Sequence, residues 1–258
     1  MGNIFDLSKR VALVTAGGHG LGREYCEAMA EHGADVVCND INTSLAQETV
    51  DLIKKHGHRA IAIQADVSKP DQIERMVNEV VSELGKIDVL FCNAGTGIAK
   101  VLHEMTIEDW DKVMELNVRG TFLLMRIVLP LMMKQKNGSI IITASVAGLM
   151  AGAETRSLPN VTYGTSKHAV IGITRHAAME YAKYGIRINA IAPGAHHTEP
   201  LAVPRQEMEK VEKWITKYIP MGRLGNPSEI KGLAVYLASD ASSYVTGQVF
   251  VHDGGFIA

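Results

Sequence analysis

The chain alternates between short apolar runs and longer stretches in which apolar residues recur with helical periodicity. Seven of the runs are rich in β-branched residues and almost continuously apolar, which is typical of strands covered on both faces. The predicted strands are Val11–Thr15, Asp35–Asn39, Ala60–Ala65, Ile87–Cys92, Ser139–Ala144, Arg187–Ala192 and Gln248–Val251. The stretches between them predict helices at about 21–32, 44–56, 70–84, 107–135, 162–183 and 227–238.

This order of elements determines the expected fold class. A strand followed by a helix, repeated along the chain, predicts an α/β fold with a parallel sheet and helices on both faces. Right-handed crossovers make such a sheet doubly wound, and its ligands bind at the carboxyl ends of the strands. No linker, charge block or internal repeat divides the sequence. We therefore expect a single domain, residues 1–258, on a sheet of about seven strands.

Composition narrows the classes of function. Of the 258 residues, 47% are hydrophobic and 21% are charged, which excludes a disordered scaffold. The formal net charge of −2 favours neither nucleic acid nor an anionic membrane as a partner. The N-terminus has no apolar signal region, and the longest apolar run, Phe122–Met133, is too short to cross a bilayer. Three cysteines fit neither a disulfide framework nor a metal site. We expect a cytoplasmic protein without membrane contact.

The first strand leads into a glycine-rich turn, Ala16–Gly22, which opens the first helix. Glycine lets the backbone approach a phosphate closely, and a helix N-terminus supplies free N–H groups and a positive dipole end. A purely structural turn is the alternative, but the strand–turn–helix context favours a pyrophosphate site. The residues expected to hold the dinucleotide here are Gly17, His19, Gly20, Leu21 and Gly22.

Polar residues follow the next strands at the same edge of the sheet. Asp40 ends the second strand, where a carboxylate accepts hydrogen bonds from an adenosine ribose diol and repels a 2′-phosphate. This favours NAD over NADP, although a surface aspartate at a strand end is the alternative. Asp66 and Val67 end the third strand and are expected to meet the adenine, and Asn93 and Gly95 follow the fourth.

With the addition of Tyr163-Gly-Thr-Ser-Lys167, essentially the whole chain resembles the short-chain dehydrogenase/reductase family. The motifs occur in family order, and the remaining ones are Asn117-Val-Arg-Gly120, Ser145, Pro193-Gly194 and Thr198. The resemblance implies a Rossmann-like dinucleotide-binding domain and an NAD-dependent oxidoreductase that interconverts a secondary alcohol and a ketone. The C-terminal segment from Ser243 resembles the family's second subunit contact, and the helices at 107–135 and 162–183 are more apolar than a monomer surface needs. We therefore expect a homotetramer.

Two features depart from the family pattern. Ala16 replaces the first glycine of the turn, which is acceptable if its φ is negative. Ser145 and Tyr163 are more widely spaced than is usual, and we interpret the additional residues, within Gly152–Asn160, as a surface loop at the mouth of the substrate site.

The candidate catalytic residues are Asn117, Ser145, Tyr163 and Lys167. Tyr163 and Lys167 lie one helical turn apart, so a buried ammonium, together with oxidised nicotinamide, is expected to lower the phenol pKa from about 10 and make Tyr163 a general base. Ser145, at the end of the fifth strand, is expected to donate to the substrate oxygen. Asn117 predicts a bend in the long helix. The resemblance implies that Lys167 also holds the nicotinamide ribose and that Asn117 anchors a water in a proton relay.

Beyond the sixth strand, the resemblance implies a substrate lid at about 195–218, with Thr198 bonded to the nicotinamide carboxamide. His196 and His197 match no zinc motif, so no metal is expected. Polar residues near the mouth suggest a polyol, sugar or hydroxyacid as substrate, and a cyclic ketone stays open. A nucleotide-sensing module without catalysis and an epimerase or dehydratase are the alternative functions. The close Tyr163–Lys167 spacing argues against an enoyl reductase.

Overall fold

The computed structural model describes residues 2–150, 160–198 and 212–258. Its centre is a seven-stranded parallel sheet with the strand order β3-β2-β1-β4-β5-β6-β7. The strands are β1 Val11–Thr15, β2 Asp35–Asp40, β3 Ala60–Gln64, β4 Val89–Cys92, β5 Gly138–Thr143, β6 Ile186–Pro193 and β7 Val249–His252. The predicted doubly wound α/β fold is confirmed, and each strand lies where the apolar runs predict it.

The helices pack on both faces of this sheet. In the described residues they are α1 Gly20–Glu31, α2 Thr43–Lys55, α3 Pro70–Leu84, α4 Ile107–Met114, α5 Thr121–Gln135, α6 Val161–Tyr181 and α7 Lys231–Ala238. The helix predicted at 107–135 contains a π-helical turn at Glu115–Gly120, which joins α4 to α5. The helix predicted at 227–238 starts as a 3₁₀ turn at Pro227–Ile230 and continues as α7.

The hydrophobic core has two layers, one on each side of the sheet. Neighbouring residues of β1 illustrate this, because Leu13 belongs to one buried cluster and Ala12 and Val14 belong to the other. A strand that buries both of its faces has no need for alternating polar residues. This explains why the sequence shows continuous apolar runs rather than alternation.

The strand order places a crevice beside β1. From β1 the chain proceeds outward to β2 and β3, and it then returns to β4 on the other side of β1. The connections after β1 and β4 therefore leave on opposite faces of the sheet, which opens a crevice at the carboxyl ends of these two strands. Every candidate motif of the sequence follows a strand at this edge or lies on a helix beside it.

The helical stretch Ile107–Gln135 is long and apolar enough to cross a membrane by length and composition alone. Its most apolar window has a mean hydropathy of 1.4, and half of that window is buried inside the protein. The core helix of a folded domain meets the same criterion. The expected lack of membrane contact stays a prediction.

Candidate active site

The glycine-rich turn is packed too closely for side chains at two of its positions. A Cβ on Gly22 would lie 1.9 Å from the Ala16 carbonyl oxygen, and a Cβ on Gly17 would lie 2.8 Å from the sulfur atoms of Cys26 and Cys38. The N-cap residue of α1, His19, makes no side-chain capping hydrogen bond. The first N–H groups of α1 are therefore available to an anion at the crevice.

Ala16 has a φ of +50°, in the left-handed region. The condition under which alanine would be acceptable here, a negative φ, is therefore not met. The turn must reverse sharply so that the Ala16 carbonyl passes over Gly22, and this requires the conformation that glycine adopts freely. A residue with a Cβ stores about 1–2 kcal/mol of strain in that conformation.

Two adjoining cavities follow the carboxyl edge of the sheet. The first, which we call the α6 cavity, has a volume of about 520 Å³. The second, the β2 cavity, has a volume of about 810 Å³. They share Ala16, His19, Gly95 and Thr96, so the two form one crevice across the end of β1.

The predicted site residues divide between these cavities. The α6 cavity is lined by His19, Gly20, Leu21, Gly22, Asn93, Gly95, Ser145, Tyr163, Lys167 and Thr198. The β2 cavity is lined by His19, Asp40, Asp66, Val67 and Gly95. Gly17 and Asn117 are buried and line neither cavity. The fold thus brings together, at the crevice, thirteen of the fifteen site residues that the sequence predicted.

Asp40 is buried, and both of its oxygens accept backbone N–H groups. Oδ2 accepts from Gly18 at 3.1 Å, and Oδ1 accepts from Asn42 at 2.9 Å. His19 Nδ1 lies 3.9 Å from Oδ2 and has no hydrogen-bond partner among the residues that the structure describes. The carboxylate is held in one orientation at the rim of the β2 cavity, with lone pairs left for a further donor.

Asn93 connects three strands through its side chain. Its Nδ2 donates to the carbonyls of Thr15 and Ala16, and its Oδ1 accepts from the Thr143 hydroxyl at 3.0 Å. The ends of β1, β4 and β5 are thereby tied together below the crevice. The side chain of Asn93 acts within the protein, whereas the sequence alone suggested only a contact with the cofactor.

Tyr163 and Lys167 meet Ser145 at the wall of the α6 cavity. The Lys167 ammonium lies 5.5 Å from the centroid of the Tyr163 ring, one turn away on α6. Ser145, directly after β5, forms a side-chain hydrogen bond with Tyr163 and also accepts the N–H of Ala147 at 3.1 Å. A hydroxyl, a phenol and an ammonium therefore converge on one space.

Burial controls the acidity of both ionisable groups of this trio. It raises the pKa of Tyr163, and the hydrogen bond with Ser145 lowers that pKa by a smaller amount. It lowers the pKa of Lys167 to about 8, while Nζ donates to the Thr143 carbonyl at 2.7 Å. In the chain alone, desolvation of the phenolate therefore dominates the acidity of Tyr163. The lowering expected from the ammonium together with oxidised nicotinamide stays a prediction.

Asn117 lies in the π-helical turn and organises the loop after β4. Its Oδ1 accepts the N–H of Thr96 at 2.8 Å, and its Nδ2 donates to the Thr96 carbonyl and to Ser166 Oγ. A Cβ on Gly95 would lie 3.3 Å from Asn117 Oδ1 and 3.4 Å from Lys167 Nζ. A π-helical turn lies where the sequence predicted a bend, and Gly95 keeps a narrow space between these two polar side chains.

Thr198 closes the α6 cavity from the side of β6. A Cβ on Gly20 would lie 3.4 Å from Thr198 Cγ2, so the segment after β6 lies directly over the glycine-rich turn. Most of the predicted lid, and the predicted loop at Gly152–Asn160 apart from its last residue, lie outside the described residues.

Sequence reasoning missed the residues that support the site from behind. Thr143 binds both Lys167 and Asn93, and Ser166 accepts from Asn117 while its hydroxyl donates to the Tyr163 carbonyl. Thr143 follows a run of three isoleucines at the end of β5, and that isolated polar position was the available signal.

Comparisons with known proteins place this site in a family. A family model described as enoyl-(acyl carrier protein) reductase matches residues 15–257. Cyclohexanol dehydrogenase of Acinetobacter sp. (strain SE19) is 37% identical over 258 residues, which cover 99% of this chain and 97% of the relative. A short-chain type dehydrogenase/reductase from Mycobacterium marinum superposes with a TM-score of 0.93 at 36% identity, with 99% and 98% of the two chains covered.

A second solved structure carries a cofactor. It is described as an NAD(P)-dependent gluconate 5-dehydrogenase from Beutenbergia cavernae with NADP bound at low occupancy. It superposes with a TM-score of 0.90 at 34% identity, over 99% of each chain.

The chain belongs to the short-chain dehydrogenase/reductase family and is an oxidoreductase of that type. Members of this family use a nicotinamide cofactor, as the sequence predicted. The names of these similar proteins differ in substrate and in cofactor. They define the class of reaction, and the choice of substrate and of NAD or NADP must be argued from the residues of the site.

Proposed function

We propose that this protein is an NAD(H)-dependent oxidoreductase that interconverts a secondary alcohol and a ketone, with Tyr163 as the general acid and base. The observation that carries the proposal is the convergence of Ser145, Tyr163 and Lys167 on the cavity that continues, across the glycine-rich turn, to Asp40. A dinucleotide spanning this crevice would have its phosphates at the N-terminus of α1.

In this proposal each residue of the trio has a separate task. When the alcohol is oxidised, Tyr163 accepts its hydroxyl proton, and in the reverse direction the phenol returns it to the ketone oxygen. Ser145 donates a hydrogen bond to the same substrate oxygen as negative charge develops there. The bound nicotinamide would accept or supply the hydride.

Lys167 has two tasks in the proposed mechanism. Its ammonium stabilises the phenolate of Tyr163, and its pKa of about 8 lets it exchange a proton near neutral pH. The space that Gly95 keeps between Lys167 and Asn117 suits the predicted relay water. Because burial raises the phenol pKa, we infer that the positive charge of the oxidised cofactor is needed to form the phenolate.

The preference for NAD rests on Asp40. Its fixed carboxylate can accept the ribose hydroxyls of NAD and would face the additional phosphate of NADP with like charge. We expect NAD to be favoured by about tenfold or more, the effect of roughly 1.4 kcal/mol. Steady-state kinetics with both cofactors measures this preference, and a preference for NADP would contradict it.

The central experiment replaces the phenol. Tyr163→Phe is expected to reduce kcat by about 10²–10⁴-fold because the proton loses its acceptor, while the fluorescence of bound NADH persists. Tyr244→Phe is the matched control, since Tyr244 is fully exposed and lines neither cavity. Near-normal turnover in Tyr163→Phe would exclude the mechanism. Binding of NADH without turnover of any substrate in the wild type would favour the nucleotide-sensing alternative.

A panel of candidate alcohols and ketones, assayed with the cofactor, tests the substrate class. Polyols, sugars and hydroxyacids are the classes that the sequence favours, and cyclic ketones are the class that it leaves open. Turnover of the cofactor in either direction identifies the active one. Isomerisation of a sugar without net change in cofactor would favour an epimerase instead.

We also propose a cytoplasmic homotetramer. Large apolar side chains are exposed on the long helices, among them Phe122 on α5 and Met179 on α6. Such exposure fits a surface that is covered by a second copy of the chain. Light scattering at micromolar concentration is expected to give about four times the 28.0 kDa mass of the chain, and a monomeric particle would contradict this.

A further inference from the structure

Two histidine side chains meet between the α6 cavity and the last strand of the sheet. His196 follows β6 and lines the α6 cavity, and His252 is the last residue of β7. Nε2 of His196 lies 3.0 Å from Nδ1 of His252, at hydrogen-bond distance. Gly225 makes room for this arrangement, since a Cβ there would lie 2.6 Å from the His196 ring.

The outer nitrogen of each ring faces a backbone carbonyl. Nδ1 of His196 lies 3.0 Å from the carbonyl oxygen of Gly194, and Nε2 of His252 lies 3.1 Å from that of Glu229. A carbonyl oxygen can only accept a hydrogen bond. Both outer nitrogens must therefore carry a proton when these two contacts are hydrogen bonds.

Counting protons shows that two neutral rings cannot make all three contacts. A neutral imidazole has one N–H, so two neutral rings use both of their protons on the carbonyls. Two lone pairs would then face each other across the 3.0 Å between His196 and His252. One additional proton converts this repulsion into an N–H···N hydrogen bond and gives the pair a single positive charge.

We propose that His196 and His252 share this additional proton and act as positioning residues for the segment 194–198, so that binding of the dinucleotide depends on protonation of the pair. The proposal rests on the proposed dinucleotide-dependent function. It concerns two residues that the reaction itself does not require.

The segment connects the pair to the cofactor side of the crevice. The N–H of Thr198 donates to the His196 carbonyl at 2.7 Å, and Thr198 lies against Gly20 of the glycine-rich turn. The N–H of Gly194 donates to the carbonyl of His252 at 3.0 Å. When the pair loses its shared proton, either the two rings move apart or one ring gives up its carbonyl, and in both cases the segment that carries Thr198 is held less firmly.

Each charged group that faces the histidine pair has a partner of its own. The Glu229 carboxylate faces it from the 3₁₀ turn but is paired with Arg223 at 2.7 Å. His197 is directed toward Glu212, and the Asp253 carboxylate accepts the N–H groups of two following residues. Burial lowers the pKa of His196, with a smaller raising effect from its bond to Gly194. The shared proton is therefore expected to bind on the acidic side of the ordinary imidazole range and to leave as pH rises.

Nuclear magnetic resonance of the full chain, labelled with ¹⁵N-histidine and free of cofactor, tests the shared proton directly. We expect the two rings to titrate in one common step and to show a scalar coupling across the N–H···N bond below that step. In His252→Gln the coupling disappears and the resonance of His196 titrates alone. Independent titration of the two rings in the wild type, without coupling, would overturn the proposal whether or not the protein has activity.

The second readout is the pH dependence of cofactor binding. The KM for NAD is expected to rise by about three- to tenfold through the common step, the effect of one net hydrogen bond, whereas the pH profile of kcat keeps its shape. His252→Gln is expected to remove this dependence, and His197→Gln, the neighbouring control, to retain it. A shared proton with a KM that does not respond to it would also overturn the proposal. Failure to bind any dinucleotide would instead refute the proposed function and leave the nuclear magnetic resonance result standing.

Discussion

The two cavities of the crevice hold their functional groups by different means. At the glycine-rich turn the backbone itself forms the surface, and a Cβ on Gly22 would meet the Ala16 carbonyl at 1.9 Å. At the α6 cavity buried side chains form the surface, and Lys167 is held there by the Thr143 carbonyl. Changes in the first region should therefore affect binding and folding, and changes in the second should affect the rate of reaction.

Among the variants that test this division between binding and rate, the largest effect is expected for a change at Ser145. Ser145→Ala removes a donor to the substrate oxygen, and kcat should fall by about 10²–10³-fold with little change in the dissociation constant of NADH. Steady-state kinetics and NADH fluorescence measure the two quantities. The exposed Ser243→Ala is the control. An equal loss of binding and rate in Ser145→Ala would mean that the two regions do not divide their tasks in this way.

A buried ammonium should make stability depend on pH. Lys167 has a pKa of about 8 in the folded chain and about 10.4 when unfolded, so between these values the unfolded state binds more protons and folding becomes more favourable as pH rises. Relative to Lys167→Met, the wild type should gain about 3 kcal/mol of unfolding free energy from pH 8 to pH 10.5.

Denaturant unfolding at a series of pH values measures that difference. Lys55→Met, on the exposed end of α2, should follow the wild type across the whole range. A constant difference between wild type and Lys167→Met would show that the ammonium is not desolvated in the folded chain.

In the other region, Asp40→Ser should act on binding and not on rate. Loss of a charged hydrogen-bond acceptor is expected to lower the affinity for NAD by about 10–100-fold and to reduce the discrimination against NADP. The value of kcat should stay nearly unchanged. Titration with the fluorescent reduced forms, NADH and NADPH, measures the change in both affinities. The exposed Asp71→Asn should leave both as they are, and a fall in kcat for Asp40→Ser would blur the contrast between the regions.

The smallest expected effect is a gain. Ala16→Gly should raise the free energy of unfolding by about 1 kcal/mol, since glycine relieves the strained φ but adds freedom to the unfolded chain. Thermal unfolding measures this change. The exposed Ala99→Gly, at a position without positive φ, should lower stability slightly. A loss of stability in Ala16→Gly would show that the turn does not store strain.

The fold was predictable because each layer of it leaves a local signal. Strands such as β1 are continuously apolar over their whole length, and Pro70 marks the first residue of α3. The edge of the sheet where the site lies follows from strand order and needs no side-chain detail. Asn117 also gave a usable signal, because asparagine within an apolar helix indicates an irregular turn.

The parts that sequence could not give depend on distant contacts. The sign of φ at Ala16 is imposed by its packing over Gly22, and the pKa of Tyr163 is set by burial that only the folded chain creates. His196 and His252 stand 56 positions apart and form a pair only because β6 and β7 are neighbours. The local sequence pattern carries no information about contacts between residues so far apart in the chain.

The link that Asn93 makes between β1, β4 and β5 has a consequence for how this enzyme can diversify. Strands fastened to one another at their ends cannot spread to admit a larger molecule, so the floor of the crevice keeps a constant width. Adaptation to new substrates is then expected from the connections that follow β5 and β6. Exchanging these connections should alter which molecule is admitted while the residues at the ends of β1, β4 and β5 keep their positions.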